Sequence, residues 1–219
     1  SGLTTAQGSK STIISNAKSR NYNSSYAATY YPNVRLGIGN ECVVPASVAA
    51  LGAIAKSDSL SQGPWFAPAG FNRGGIKQLG GTNGPTVLNT TEYLKKKDRD
   101  DLYKVNVNPI SRFPAINEIV IFGQKTMQQT PSALDRVNVR RLMIYLKKKI
   151  GDIANTILFQ NNVRATWLNF TSRAENILTD VQTRFGITEY KLVLDETTTT
   201  ADLIDRNILY AKVYVKPAR

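Results

Sequence analysis

Residues 132–157 read SALDRVNVRRLMIYLKKKIGDIANTI, and the apolar positions Val139, Met143, Leu146, Ile150, Ile153 and Ile157 advance by four and three alternately. That spacing draws one continuous stripe along a long helix. Ser132, with Asp135 three residues later, predicts the helix start, an arrangement like a capping box with aspartate in place of glutamate. A second long helix follows on the same logic, with Trp167, Phe170, Ala174, Ile177 and Val181 on one face. Gly186 is expected to cap it, and residues 188–194 alternate as a strand. Residues 197–200, four threonines, read as a turn. In residues 208–216, Leu209, Ala211, Val213 and Val215 share one face and Tyr210, Lys212, Tyr214 and Lys216 the other, until Pro217 ends the strand. Upstream, residues 118–122 form a short β-branched run closed by Gly123, the pattern of a buried strand. Helices interleaved with strands give an α/β chain (α+β mixed), with mixed β-sheets flanked by long amphipathic helices. Both stripes are read as core shared with a sheet, with no cofactor role.

The preceding half is less regular. Residues 1–25 are rich in Ser, Thr, Asn and Gly and read as loop, or as a short helix over residues 12–20. Residues 26–31 and 34–38 are β-prone on either side of Pro32. From Pro45 to about residue 59, Val48, Ala49, Leu51, Ala53, Ile54 and Ala55 predict a tightly packed helix that Gly63 and Pro64 terminate. Residues 63–90 carry Gly74-Gly75 and Gly80-Gly81 around Trp65 and Phe66, a long ordered loop with the two aromatic residues as its anchors. Residues 91–104 predict a polar helix with Leu94 and Leu102 inward and a solvated charged face. Two domains are expected, 1–105 and 106–219, and no repeat of solenoid length is present.

Composition narrows the chemistry. The 219 residues are 42% hydrophobic, enough to bury a core. No apolar run approaches the roughly 20 residues that cross a bilayer, and the start lacks the order of a signal peptide, so the chain reads as soluble and unsecreted. Cys42 is the single cysteine, beside Val43 and Val44, and is expected to be a small buried thiol with no redox role. There is no histidine, which removes the commonest general base and the commonest neutral metal ligand. Gly70-Phe71-Asn72-Arg73-Gly74-Gly75 is neither a phosphate loop nor a dinucleotide fingerprint. Asp98, Asp100 and Asp101 lack the ligand spacing of a calcium loop and read as balance for the lysines around them. Asp195, Glu196 and Asp205 are read as turn and capping residues, because nothing near them supplies a matched base.

The net charge is +12, from 28 Lys and Arg against 16 Asp and Glu, which favours acidic partners. Arg136, Arg140, Arg141, Lys147, Lys148 and Lys149 fall on the first long helix, where the apolar stripe already occupies the core-facing side. They are either a solvated face with snorkelling stems or a basic patch docking an acidic partner. A basic nucleic-acid-binding protein is the alternative that the charge permits, although no recognised motif accompanies it.

A series of segments in order also carries a resemblance: Ala28-Thr29-Tyr30-Tyr31-Pro32, Val44-Pro45-Ala46-Ser47, Pro64-Trp65-Phe66-Ala67-Pro68-Ala69-Gly70 with Asn72-Arg73-Gly74, and Val107-Asn108-Pro109-Ile110. Phe122-Gly123-Gln124-Lys125-Thr126, then residues 132–142 (SALDRVNVRRL), Asp195-Glu196-Thr197 and Val215-Lys216-Pro217-Ala218-Arg219 continue it. Together they resemble the tail sheath family of contractile-tailed myoviruses, T4-like phages most closely, which is related to the sheaths of pyocins and type VI secretion systems.

The resemblance implies the end of a sheath's middle domain followed by its conserved C-terminal domain, the part nearest the inner tail tube. It implies a structural subunit of the virion, assembled in the host cytoplasm, with no enzymatic activity, cofactor, metal, nucleic acid or membrane. Sheath subunits form a helical cylinder around the tube and contract when the baseplate fires. Their terminal arms add strands to a neighbour's sheet, so the expected partners are other sheath subunits, the tube protein, the baseplate and the tail terminator. On the same resemblance, Arg136, Arg140, Arg141, Lys147 and Lys148 are expected to contact the tube or a neighbouring subunit. The family continues beyond the position of Arg219 into one more strand and has an N-terminal arm, so this chain alone is expected to stay monomeric or to associate weakly.

Overall fold

The computed structural model describes residues 2–20, 22–37, 42–61, 63–79 and 83–218. Ile38 and Gly80-Gly81, which belonged to the sequence expectations above, lie outside those residues. The chain divides into two compact units, Ser1–Arg141 and Leu142–Arg219.

The first unit runs β1 (Gly2–Thr5), α1 (Lys10–Ser19), β2 (Ala27–Tyr31), β3 (Val34–Leu36), β4 (Cys42–Val44), α2 (Ala46–Ser61), α3 (Gly70–Arg73), β5 (Val87–Thr90), α4 (Lys96–Lys104), β6 (Val107–Phe113) and β7 (Glu118–Ile121). α5 (Val137–Thr156) begins in this unit and ends in the next. The boundary expected at 105/106 differs from this division because β6, which follows it, pairs in parallel with β2 (Thr29 opposite Val107). The main sheet has the order β1-β2-β6-β7, parallel except for the antiparallel β6–β7 pair.

Both faces of its inner strands are covered, as parallel strands require. Ala28 and Tyr30 of β2 and Ile110 of β6 join the alanines of α2 and the small antiparallel sheet β4-β3-β5 in one core. Tyr31 and Val107 turn to the opposite face, against Ile13 of α1 and Leu94 and Leu102 at α4. α2 packs closely because its buried face is Ala46, Ala49, Ala50, Ala53, Ile54 and Ser57. The expected inward positions Val48 and Leu51 are exposed instead. Its first amides are held from outside the helix: Ala46 N–H donates to Asn33 Oδ1 at 3.2 Å and Ser47 N–H to Thr5 Oγ1 at 2.9 Å. Cys42 is exposed and not buried as expected, because β4 is the edge strand of the small sheet and Val43 beside it is exposed too. α4 starts at Lys96, later than the sequence predicts, where Asp98 Oδ2 accepts the Lys95 N–H at 2.8 Å.

The second unit contains α6 (Arg164–Thr183), β8 (Ile187–Val193), α7 (Ala201–Asp205) and β9 (Lys212–Pro217). Ile153, Phe170 and Ala174 form its centre, with Ile150, Ile157, Ile177, Leu192, Leu194 and Ala211 packed around them. Ile150, Ile153 and Ile157 of the first predicted stripe therefore pack with Phe170, Ala174 and Ile177 of the second, against Leu192 of β8 and the flanking Leu194 and Ala211. α6 ends in a Schellman turn: Phe185 N–H donates to Gln182 O at 3.0 Å and Gly186 N–H to Val181 O at 2.8 Å. The left-handed position belongs to Phe185, at φ 60°, and not to Gly186.

Candidate assembly interface

Several segments of the first unit that carry the resemblance meet one another in space. Asn108 is fully buried and its side chain is a clasp: Nδ2 donates to Thr29 O at 3.1 Å and Lys125 O at 2.8 Å, and Oδ1 accepts Lys125 N–H at 2.7 Å. Gly123 is required beside it, since a Cβ there would come 2.9 Å from Asn108 Oδ1. The strand-like segment that follows then bridges to the start of α5, with Thr126 N–H on Asp135 O and Val137 N–H on Gln124 O, both at 2.8 Å. Ser132 does not open α5. Its Oγ accepts Leu134 N–H at 3.1 Å and caps a 3-10 turn (Ala133–Asp135), and Arg136 is extended before the α-helix begins.

This geometry divides the five residues expected at a partner surface. Arg140 is buried, donates to Ser25 Oγ and stacks 4.1 Å over the ring of Tyr26. Arg141 pairs with Asp58 and reaches Pro64 O at 3.4 Å, next to Trp65, whose carbonyl accepts from Asn138 Nδ2 at 3.2 Å. Arg136 donates to the Tyr103 hydroxyl and lies 3.4 Å from Asp135. All three guanidinium groups thus clamp the head of α5 onto its own unit. Lys147 and Lys148, with Lys149, are exposed on the part of α5 in the second unit and have no carboxylate partner among the described residues. Nothing in the sequence separated the arginines from the lysines, since their partners Ser25, Tyr26, Asp58 and Tyr103 come from distant segments.

The second feature is the sheet of the second unit. Among the described residues β8 and β9 pair only with each other, antiparallel, from Tyr190 opposite Val215 to Val193 opposite Lys212. One edge of each strand is therefore unpaired by the described residues, a template for another strand. The alternation read from the sequence holds: Val213 and Val215 are half-buried, Tyr214 and Lys216 exposed.

No group of three or more possible metal-ligating side chains occurs among the described residues. No described helix is long and apolar enough to cross a membrane. Asp98 is held by Lys95 N–H and by Lys10 Nζ at 3.2 Å, and the first of these contacts does most to keep its carboxyl below the usual range. Asp195 accepts from Thr197 and Thr198 in a turn, with the Thr197 hydroxyl the main cause of its lowered pKa. These carboxylates serve local structure. What the sequence reading missed is a cluster of the exposed Phe71 and Phe122 with the half-buried Phe113 beside Arg99. The three rings are too far apart in the chain for any periodicity to join them.

Comparison with known proteins matches these features to one family. The phage tail sheath protein central domain matches residues 1–127, and the phage tail sheath C-terminal domain matches residues 129–219. The tail sheath protein of Vibrio phage KVP40 is 42% identical over 176 residues, which cover 80% of this chain and 25% of that protein. The tail sheath protein of Enterobacteria phage T4 is 35% identical over 176 residues, with the same coverage of 80% and 25%. In fold, the chain is similar to the sheath complex of the extracellular contractile injection system PVC in its contracted state, with a TM-score of 0.82, 20% identity, and coverage of 99% of this chain and 60% of that one. The contracted helical sheath of the anti-feeding prophage gives 0.79 and 22% identity, covering 99% of this chain and 57% of that one. The chain spans about a quarter of the length of the curated relatives it matches. These 219 residues belong to the phage tail sheath protein family.

Proposed function

We propose that this chain is part of the sheath subunit of a contractile phage tail, which polymerises helically around the inner tail tube and contracts to drive the tube through the host envelope. The observation that carries the reading is the family match across both units, joined to a two-stranded sheet whose outer edges no other described strand pairs. Open edges suit strand addition by neighbouring subunits, where main-chain hydrogen bonds hold the copies together through a large displacement. Contraction is then a rearrangement of nearly rigid bodies joined by flexible arms, with no nucleotide, cofactor or catalytic step.

Lys147 and Lys148, exposed with Lys149 on α5, are placed to meet the tube or a neighbouring subunit. Charge pairing there would set register and remain breakable. Arg136, Arg140 and Arg141 serve the same surface by fixing the head of the helix that carries it. The baseplate and the tail terminator complete the partner set, in a virion assembled in the host cytoplasm. The test is negative-stain microscopy of the complete sheath protein carrying these residues, assembled with tubes. Wild-type protein should give sheathed tubes, and Lys147→Glu with Lys148→Glu should reduce them. Unchanged sheathing by the double variant would remove the lysines from the contact, and absence of any tubular assembly by the wild type would remove the sheath reading.

A further inference from the structure

The first unit exposes an aromatic surface that its core does not use. Phe71 of α3, Phe113 at the end of β6 and Phe122 just after β7 form a triangle, with ring centroids 5.0 Å apart for Phe71–Phe113 and Phe113–Phe122 and 5.8 Å for Phe71–Phe122. Phe71 is 51% exposed and Phe122 42%. The guanidinium of Arg99 lies 4.8 Å from the Phe113 centroid and 5.9 Å from that of Phe122. A hollow of about 450 Å³ opens beside the rings, with Phe122 and Tyr103 on its walls and Arg99, Arg136 and Asp100 also lining it. Arg99 donates to Leu94 O at 3.1 Å and to Ser111 Oγ at 3.4 Å, and no carboxylate pairs with it among the described residues. Packed rings beneath an arginine with no carboxylate partner are the composition of an interface centre.

Charge selects the occupant. A guanidinium stacked on aromatic rings suits a carboxylate carried next to an apolar side chain, because the ion pair forms where the rings exclude water. This chain supplies such a segment. Residues 195–208 contain the carboxylates Asp195, Glu196, Asp202 and Asp205 against one arginine, Arg206, in a protein of net charge +12. All four acids are exposed, and the one ion pair among them in the described residues is Asp202 with Arg206 at 3.6 Å. Ile208, just beyond, is also exposed.

We propose that the Arg99 aromatic patch of one subunit receives the acidic 195–208 segment of a second copy. The inference rests on the sheath reading above and adds a named contact between copies. Two different patches meeting head to tail make a heterologous contact, which repeats from copy to copy and generates rings or helices, whereas a self-complementary patch stops at a dimer.

The test uses the complete sheath protein carrying these residues, with tube mass measured by pelleting and microscopy. Two variants are compared, Arg99→Glu and the double variant Asp202→Arg with Asp205→Arg, each checked for a wild-type thermal melt. Each alone should lose tube mass by about tenfold or more, since like charges then face each other. An equal mixture of the two should recover it, because each reversed patch finds a reversed segment on the other copy. A contact within one chain would not recover on mixing, so recovery assigns the contact to separate copies. Phe122→Ser should lose tube mass and gain nothing from mixing. If Arg99→Glu melts early, Arg99→Gln replaces it, and a smaller loss is expected. Wild-type yield from correctly folded Arg99 and Phe122 variants, or a mixture that stays unassembled, overturns the proposal while wild-type tubes leave the sheath reading standing. A wild-type protein that forms no tubes overturns the sheath reading itself.

Discussion

At the scale of single residues, Asn108 holds the most structure per side chain. Asn108→Ala removes three hydrogen bonds and leaves Thr29 O, Lys125 O and Lys125 N–H without that partner in a buried site. The expected loss is roughly 3 kcal/mol in a denaturant titration. Phe185 offers the opposite case. It occupies the left-handed position of the α6 C-terminus at φ 60° and is largely exposed, so Phe185→Gly should raise stability by about 1 kcal/mol. Tyr30 supplies a pH signature. Burial is the main cause that pushes its phenol up to about 12 from the usual 10.0, with Arg141 pulling the other way. The folded state therefore holds this proton more tightly than the unfolded chain. Its contribution is complete below about pH 10 and declines as pH rises from there toward 12. Tyr30→Phe should flatten that part of the stability profile. The sequence marked Val107-Asn108-Pro109-Ile110 as a motif, but the clasp on Lys125 was not legible, because it joins segments 17 residues apart through one side chain.

At the scale of elements, the periodic parts were legible and the aperiodic ones were not. The α5 and α6 stripes and the alternation of β9 follow from backbone period alone, and Ile150, Ile153 and Ile157 of one stripe meet Phe170, Ala174 and Ile177 of the other in the core of the second unit. The start of α5 was misread because Ser132 and Asp135 fit a helix signature that a 3-10 turn satisfies equally well. α2 was read in part: Ala49, Ala53 and Ile54 of the predicted set are buried while Val48 and Leu51 are exposed, since small side chains allow the closer approach. The structure separates two leucines of α6 that composition treats alike. Leu178→Ala at the fully buried position should cost about 3 kcal/mol. Leu168→Ala, at an exposed one, should stay within about 0.5 kcal/mol. Thermal or chemical unfolding of the two variants measures the difference.

At the scale of the whole molecule, the net charge of +12 pointed to acidic partners without choosing one. The structure distributes that charge by task. Arg140 and Arg141 are buried or ion-paired against their own unit, while Lys147 and Lys148 stay exposed. Pairing geometry, invisible to composition, made the distinction. The edges of β8 and β9 that no described strand pairs were anticipated only through the family resemblance, since an unpaired edge has no sequence period of its own.

Cryo-electron microscopy of tails assembled from the sheath protein carrying these residues tests the central claim most directly. Backbone density from a neighbouring copy should run as an added strand beside β8 or β9, in register with the sheet. A sheath in which both edges face solvent, or a protein that binds DNA with steep salt dependence and assembles no tube, would contradict it.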